Sequence, residues 1–254
     1  MSQRALDAVL FDVGGTILRV QPSVGDVYAQ VALDHGFCLD PEVINQSFRA
    51  AWKKSLERSR ARNYCTSDLI LRQEWLEIVR DTFGSAIPES AIQPFFADLY
   101  ERFVSIGPWQ VAPGIRETLA YLRGEGVRLG VLSNWDSRLE RMLQELQLGD
   151  AFDFIVVSHA VGFEKPHPEI FGWAMRQALT PAGRTLHVGD CYHSDISPAR
   201  RAGLQTLWVA PESERRKEGY EGLGFESLPE NPLPIWRQIV YAELTDGRGK
   251  NRAG

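Results

Sequence analysis

The sequence predicts an α/β fold, in which helices cover both faces of a parallel sheet and a helical segment interrupts the chain early. Downstream of Pro108, helical segments and short apolar segments alternate repeatedly, a pattern typical of parallel strands joined by helices. Residues 23–103 are instead helical in pattern, with breaks at glycine and proline. We therefore expect a Rossmann-like core formed by residues 1–20 and 108–254, and an inserted helical cap formed by residues 21–107.

The core elements follow from short apolar runs that end at polar or glycine-rich loops. The first predicted strand, residues 8–11, is a run of four apolar residues that stops at Asp12 and two glycines. A final helix is expected near residues 234–244, and the polar tail 245–254 is expected to be disordered. The remaining predicted helix and strand pairs are 115–123 with 127–132, 139–146 with 152–157, 169–178 with 185–188, and 196–202 with 205–209.

The inserted segment shows the spacing of amphipathic helices. Ile44, Phe48 and Trp52 recur at helical intervals and define one face of a predicted helix. Ser67 is a suitable N-cap for a second helix, and a third is expected over residues 92–103. A lid is one function of such an insertion, because it follows the first strand and would lie over the carboxyl end of the sheet.

Composition excludes several classes of protein. The chain has 254 residues, of which 44% are hydrophobic and 24% charged, values close to globular averages. The three cysteines (Cys38, Cys65 and Cys191) show no CxxC spacing, which argues against a disulfide scaffold or zinc cluster and fits a reducing compartment. The sequence shows neither a membrane-length apolar run nor a signal peptide. Its net charge of −5 disfavours nucleic acid as a binding partner. We expect a cytoplasmic monomer or homodimer without a nucleic-acid or membrane partner.

Polar residues follow the predicted core strands, at the edge where ligands bind in parallel α/β sheets. Asp12 follows the first strand, and Ser133 follows the strand at 127–132. Asp190 follows the strand at 185–188, with Asp195 five residues further on. Clustered carboxylates repel one another, and their hard oxygen atoms suit Mg²⁺.

The same edge also offers groups that bind an anion. Lys165 lies in the connection after the strand at 152–157, and the loop containing Gly14 and Gly15 offers backbone amides. Together with Ser133, these groups would bind a phosphate, and an ionised Asp12 would then be a candidate nucleophile.

Four segments carry a resemblance to a known family. They read LFDVGGT at 10–16, LSN at 132–134, KPHPEIF at 165–171 and VGDCYHSD at 188–195. In this order they resemble the four motifs of the haloacid dehalogenase (HAD) superfamily, in the subfamily with a helical cap between the first two motifs. The resemblance covers the core from about residue 6 to residue 210, and the cap by position and helical character.

The resemblance implies a Mg²⁺-dependent hydrolase that acts on a small phosphorylated metabolite. Asp12 would attack phosphorus and form an aspartyl-phosphate. Lys165 would keep Asp12 ionised, and Asp195 would bind the metal or stand just behind its ligands. The implied metal ligands are Asp12, the backbone carbonyl of Gly14 and Asp190, and the implied phosphate-binding residues are Gly15, Ser133, Asn134 and Lys165.

Gly14 departs from the family pattern. Phosphatases of the superfamily usually have a second aspartate at this position, which protonates the leaving alcohol and later activates water. Glycine transfers no proton, although its carbonyl can still bind a metal. A positioned acid or base typically contributes about 10²–10⁴-fold in rate. The loss would be severe for an alkyl phosphate and smaller for an acyl phosphate, whose leaving group needs little protonation.

Other functions remain open at this stage. The main alternative is a catalytically silent homologue that binds phosphate, metal or a protein partner in the same pocket. Phosphonate hydrolysis would need a lysine from the cap, for which Lys53 and Lys54 are candidates, although a solvated helix face explains them more simply. Haloacid dehalogenation is disfavoured because Asp190 and Asp195 indicate a metal.

Several further residues have open roles. His167 is a candidate to tune Lys165 or to replace the missing acid, and Ser194 with Asp195 also fits an N-cap for the following helix. Tyr28, Arg49 and Trp52 are candidates for substrate specificity in the cap. No site argument applies to His35 or His187.

Overall fold

A computed structural model of the chain describes residues 5–226 and 233–241. Six parallel strands form the main sheet in the order β5-β4-β1-β6-β7-β8, and β2 pairs with β3 in a separate antiparallel sheet. The strands are β1 (Ala8–Phe11), β2 (Leu18–Val20), β3 (Trp109–Val111), β4 (Arg128–Ser133), β5 (Phe154–Val157), β6 (Thr185–Gly189), β7 (Gln205–Val209) and β8 (Leu223–Phe225).

Helices lie between the strands along the chain. Most α-helices of the core follow a strand and return the chain to the end of the sheet at which the next strand begins, as parallel pairing requires. The helices are α1 (Val24–Asp34), α2 (Pro41–Ala61), α3 (Asp68–Phe83), α4 (Glu89–Val104), α5 (Ile115–Gly124), α6 (Leu139–Glu145), α7 (Ser158–Val161), α8 (Pro168–Ala178), α9 (Ser197–Arg201), α10 (Glu212–Lys217) and α11 (Leu233–Tyr241).

The central strand β1 is buried on both faces of the sheet. Val9 and Phe11 belong to one hydrophobic cluster, in which Phe11 packs against Trp236 of α11. Leu10 points to the opposite face and packs in a second cluster that includes Ile170 and Phe171 of α8. The run of apolar residues in β1 therefore reflects burial on two sides, and the predicted α/β fold with helices on both faces is confirmed.

The register of β1 brings several strand ends to one edge of the sheet. Phe11 pairs with Val131 of β4 and with Val188 of β6. The chain segments that carry Asp12, Ser133 and Asp190 therefore leave the sheet side by side. This placement follows from parallel pairing, since the carboxyl ends of parallel strands share one edge.

Helices α1–α4 lie between β2 and β3 and have their own hydrophobic cluster, which includes Tyr28, Phe83 and Phe95. We call residues 24–104 the helical insertion. Ser67 caps α3 as predicted, because its Oγ accepts a hydrogen bond from the Ile70 amide. The two strands β2 and β3 connect the insertion to the core and pair with each other.

The structure adds elements that the periodicity did not predict. Strands β2, β3 and β8 have three residues each, too few to show an alternating pattern. The predicted strand at 152–157 begins at Phe154, since Phe152 ends a short 3-10 turn. The predicted disordered tail 245–254 lies outside the described residues. Among the described helices, none combines the length and apolarity needed to cross a membrane.

Candidate active site

Asp12 lies directly after β1 and is almost completely buried, with 6% of its surface exposed. Its Oδ1 accepts hydrogen bonds from Lys165 Nζ at 2.7 Å and from Ser133 Oγ at 3.1 Å. Its Oδ2 accepts no hydrogen bond from any residue within the described parts of the chain. One oxygen is therefore held by the protein, and the other is left for a substrate or a cation.

Lys165 connects two carboxylates. Its Nζ lies 2.7 Å from Asp12 Oδ1 and 2.5 Å from Asp195 Oδ1, and the side chain is buried. Asn134 fixes the backbone of this lysine, because Asn134 Oδ1 accepts from Lys165 N at 2.6 Å and Asn134 Nδ2 donates to Lys165 O at 2.9 Å. The Asn134 amide, predicted to bind phosphate, thus positions the lysine backbone.

Asp190 and Asp195 complete an acidic cluster with Asp12. One oxygen from each of the three carboxylates lies within 4.8 Å of the others. Gly15 lies beside this cluster with φ of +80°, and a Cβ at this position would overlap the Asp190 carboxylate. Glycine is therefore required at Gly15 both by backbone conformation and by the close approach of Asp190.

Asp195 does not cap the helix that follows it. It lies in a π-helical turn over Tyr192–Ile196, and α9 begins without a side-chain cap. Its Oδ1 contacts Lys165 and His187, and its Oδ2 accepts from the Cys191 amide at 3.1 Å. Both of its oxygens are therefore engaged by protein groups, and the N-cap alternative is wrong.

The electrostatics of the cluster favour a cation. Burial raises the pKa of Asp12, although the Lys165 ammonium acts in the opposite direction. The pKa of Asp190 lies well above its usual range because of burial and the nearby charges of Asp12 and Asp195. Three carboxylates facing one ammonium leave an excess of negative charge, and their hard oxygen donors fit Mg²⁺.

Lys165 and Asp195 stabilise each other's charges. Burial works against the charged form of both groups. The carboxylates of Asp12 and Asp195 outweigh burial and raise the pKa of Lys165. Lys165 and His187 likewise outweigh burial and hold the pKa of Asp195 below its usual range. Lys165 is therefore a permanent cation beside Asp12.

His187 is a site residue that the sequence analysis missed. It is fully buried on β6, and its Nε2 lies 3.0 Å from Asp195 Oδ1. Its position inside an otherwise apolar strand was the available signal, because a buried histidine needs a polar partner.

Trp135 is a second neighbour that the sequence analysis missed. A Cβ built on Gly14 would lie 3.4 Å from Trp135 Cζ3, so the indole stands beside the position of the missing aspartate. Trp135 follows Ser133 by two residues as Gly14 follows Asp12 by two. The segment after β1 and the segment at the end of β4 thus approach each other at two points, Asp12 with Ser133 and Gly14 with Trp135.

The helical insertion contacts the segment that carries Lys165. The Thr66 amide donates to Gly162 O at 2.9 Å, and the Glu164 amide donates to Tyr64 O at 3.0 Å. Ser59 Oγ also donates a hydrogen bond to the buried Glu164 carboxylate. The insertion is therefore hydrogen-bonded to Glu164, the residue that precedes Lys165.

Other predicted residues lie away from the cluster or have structural partners. His167 caps α8, and its ring stacks on Phe163 with 4.1 Å between the ring centroids. Among the described residues, no hydrogen bond or ion pair joins His167 to the Lys165 ammonium. Lys53 and Lys54 are exposed, and Lys54 pairs with Asp81, so they match the solvated helix face rather than a cap nucleophile.

The three specificity candidates of the insertion differ in burial, and two of them, Tyr28 and Trp52, pack against the same ring of Phe48. Tyr28 is buried in the cluster of the insertion, where it stacks with Phe83. Arg49 is exposed near Glu42, and the half-exposed Trp52 stacks on Phe48. The structure therefore gives Tyr28 a packing function.

The fold and the cluster at the strand ends together define a Rossmann-like α/β protein with a buried aspartate directly after its first strand. A family model described as haloacid dehalogenase-like hydrolase matches residues 6–203, and the chain belongs to this family. The family predicted from the four motifs is thereby confirmed.

Curated relatives agree with this membership. Haloacid dehalogenase-like hydrolase domain-containing protein 3 of Homo sapiens is 38% identical over 202 residues, covering 78% of this chain and 80% of that protein. The protein of the same name from Xenopus laevis is 36% identical over 215 residues, covering 82% of this chain and 86% of that protein.

Similar solved structures include proteins with different chemistry. A magnesium-bound HAD-hydrolase of Bacillus subtilis, YfnB, has a TM-score of 0.69 at 19% identity, covering 92% of this chain and 98% of that chain. A dehalogenase with an intermediate complex has a TM-score of 0.70 at 17% identity, covering 94% of this chain and 99% of that chain. At such identities the likeness establishes the fold, and the reaction must be argued from the site.

Proposed function

We propose that the protein is a Mg²⁺-dependent phosphohydrolase that uses Asp12 as its nucleophile on a small phosphorylated metabolite. The observation that carries the proposal is the environment of the Asp12 carboxylate. Lys165 and Ser133 bind its Oδ1, while two further carboxylates stand within 4.8 Å. An aspartate fixed by one oxygen and free at the other is positioned for nucleophilic attack.

The residues present fit a magnesium ion. Asp12, Asp190 and the Gly14 carbonyl would hold it, while Asp195 is already engaged by Lys165, His187 and the Cys191 amide. Bound Mg²⁺ supplies positive charge that neutralises the carboxylates and polarises a phosphoryl group. The magnesium-bound structure of the Bacillus subtilis relative supports this choice of metal.

The first step forms a covalent intermediate. Asp12 Oδ2 attacks phosphorus, a bond from oxygen to phosphorus forms, and the bond from phosphorus to the leaving group breaks. The leaving group departs with the electron pair. Lys165 and Ser133 hold the Asp12 carboxylate in position, and the Lys165 ammonium would also stabilise the phosphoryl oxygens. The Gly15 amide already donates to Leu18 O at 2.8 Å and takes no part in this contact.

The second step returns the enzyme to its starting state. Water attacks the phosphorus of the aspartyl-phosphate, and the bond from phosphorus to the Asp12 oxygen breaks. Inorganic phosphate leaves with the protons of the water or releases them to solvent, and the Asp12 carboxylate is regenerated with the electron pair. Gly14 supplies no base to activate this water. We therefore expect slow hydrolysis and accumulation of the phosphoenzyme, with a substrate whose leaving group departs without a proton, such as an acyl phosphate.

Trapping of the phosphoenzyme tests the proposal. The protein is incubated with Mg²⁺ and acetyl phosphate, quenched in acid, and analysed by intact mass spectrometry and phosphate release. We expect a single phosphorylated species in the wild type and none in Asp12→Asn, since the amide is a poor nucleophile. Asp150→Asn changes an exposed aspartate and serves as the matched control. Chelation of Mg²⁺ should remove the signal.

A catalytically silent homologue is the second candidate, and Gly14 is the observation that favours it. Beryllium trifluoride, which imitates an aspartyl-phosphate, separates the two functions. A wild type that binds the mimic with Mg²⁺ but forms no phosphoenzyme with acetyl phosphate would contradict our proposal and establish the silent homologue.

A further inference from the structure

We infer that Trp135 selects the leaving group, and that the preferred substrates are acyl phosphates with a planar aromatic acyl group. This inference rests on the proposed function, because it assigns a substrate class to the same site. It depends on three observations: which residues border the opening of the site, how Trp135 is held, and what Gly14 leaves vacant beside it.

The opening of the site is identified by exposure. Asp12, Ser133, Lys165 and Asp195 are buried, so the substrate cannot approach through them. Several residues that contact this group or adjoin it in sequence are half-buried, namely Gly14, Gly15, Asn134, Trp135 and Asp190. The part of the substrate beyond the phosphoryl group would then pass these residues. Trp135 has the largest side chain among them, and the amide of Asn134 is bound to the Lys165 backbone.

Trp135 is held in place from two directions. Its amide donates to Ser158 Oγ at 3.1 Å, and Ser158 Oγ donates back to Trp135 O at 3.0 Å. Its ring lies 5.2 Å from that of Trp109, on the strand β3 that leads out of the helical insertion. The indole is therefore positioned before a ligand arrives, which lowers the entropic cost of stacking against it.

Gly14 presents no side chain to the indole that stands beside it. The point where its Cβ would stand lies 3.4 Å from Trp135 Cζ3, which is ordinary contact distance. A longer side chain at position 14 would continue from this point of contact with Trp135 Cζ3. With glycine, no side chain from position 14 covers this part of the indole, and a flat group attached to the phosphate would contact the ring from the side of the cluster.

The absence of an acid at the same position adds an electronic requirement. A leaving group that lies beside Gly14 receives no proton from it, so it must be a weak base. An aromatic carboxylate meets both conditions, because it is planar and leaves as a stable anion. The geometry of Trp135 and the chemistry of Gly14 thus point to the same substrate class.

The test compares benzoyl phosphate with acetyl phosphate on the Mg²⁺-loaded protein. Both leaving groups are carboxylates, so the compounds differ mainly in the aromatic ring. We expect kcat/KM, divided by each compound's uncatalysed rate constant, to favour benzoyl phosphate roughly two- to tenfold, the range of one aromatic contact. Trp135→Ala should bring the ratio close to one, and Trp135→Phe should restore most of it.

A second tryptophan variant controls for effects that removal of any tryptophan side chain would have on the ratio. Trp173 lies on α8, is 43% exposed and contacts Arg176, so Trp173→Ala should retain the wild-type ratio. Circular dichroism and thermal melting establish that each variant is folded. Calorimetric binding of benzylphosphonate and methylphosphonate provides a readout that needs no turnover, and Trp135→Ala should remove the preference for the aromatic ligand.

The outcomes separate this inference from the proposed function. Turnover of acetyl phosphate with a wild-type ratio near one, or a ratio unchanged in Trp135→Ala, overturns the inference and leaves the phosphohydrolase in place. If no phosphoenzyme forms with either compound, the proposed function fails. In that case equal binding of the two phosphonates overturns the role of Trp135 as well, and a Trp135-dependent preference supports it as an aromatic contact.

Discussion

His187 is fully buried, and its two ring nitrogens differ in their surroundings. Nε2 lies 3.0 Å from Asp195 Oδ1, whereas Nδ1 has no hydrogen-bond partner among the described residues. An unsatisfied buried nitrogen destabilises the folded state. Its retention here is consistent with a function for the other nitrogen, which orients the carboxylate that binds Lys165.

Substitution of His187 separates function from stability. We expect His187→Leu to lower phosphoenzyme formation by roughly 10- to 100-fold, the usual effect of removing a partner that orients residues at a metal site. The free energy of unfolding should change little, because leucine also removes the unsatisfied Nδ1. Stopped-flow phosphorylation and urea unfolding measure the two effects.

His35→Leu is the control for this substitution, since His35 pairs with Asp98 within the helical insertion. It should leave phosphoenzyme formation at the wild-type rate. An equally fast reaction in His187→Leu and the wild type would show that His187 has no positioning role.

The contact between the helical insertion and the Lys165 segment operates at the scale of elements. Ser59 of α2 donates to Glu164, and Arg62 Nη2 lies 3.8 Å from the same carboxylate. Burial raises the pKa of Glu164, while the Ser59 hydrogen bond acts in the opposite direction. A buried carboxylate at the start of the Lys165 segment thus depends on a hydroxyl from the insertion.

Removal of this hydroxyl should destabilise the protein. We expect Ser59→Ala to lower the free energy of unfolding by about 1–3 kcal/mol, because it leaves a buried acceptor poorly paired. Ser55→Ala is a matched control on the same helix, since the buried Ser55 donates within the helix to Trp52 O. Urea unfolding compares the two, and equal losses would contradict a special role for the contact of Ser59 with Glu164.

At the scale of the whole molecule, the acidic cluster links stability to pH and to magnesium. The pKa of Asp190 is raised in the folded state, so its contribution to stability is full below the pKa of the unfolded chain. This contribution is lost as pH rises through the folded-state pKa. Mg²⁺ binds the ionised form in competition with protons, and its stabilising effect should therefore grow with pH.

Thermal unfolding at pH 5 and pH 8, with and without Mg²⁺, measures this linkage. At a concentration about 100 times the Kd, a ligand stabilises by about 2.7 kcal/mol, which corresponds to a Tm increase of several degrees in a chain of this size. We expect the increase at pH 8 to exceed that at pH 5. Asp190→Asn should lose most of it and Asp150→Asn should retain it, and an equal shift at both pH values would contradict the linkage.

Much of the fold and part of the site followed from local sequence. The buried strand at residues 8–11 and the later helix and strand pairs were recognisable because each is a contiguous pattern of apolar residues. Asp12, Ser133 and Lys165 were candidates for the same reason, since each stands in a short motif next to a strand or loop signal. The structure brings Ser133 and Lys165 into direct contact with the same oxygen of Asp12.

The sequence by itself determined the order of strands and helices along the chain, the family and the residues with reactive groups, because these depend on near neighbours along the chain. Only the tertiary structure decided that His187 orients Asp195, that Asn134 binds the Lys165 backbone and that Trp135 stands beside Gly14. Contacts such as Ser59 with Glu164, separated by 105 positions, leave no periodic signal in a single sequence. They arise when packed elements bring distant segments together, and burial then requires each polar group to find a partner.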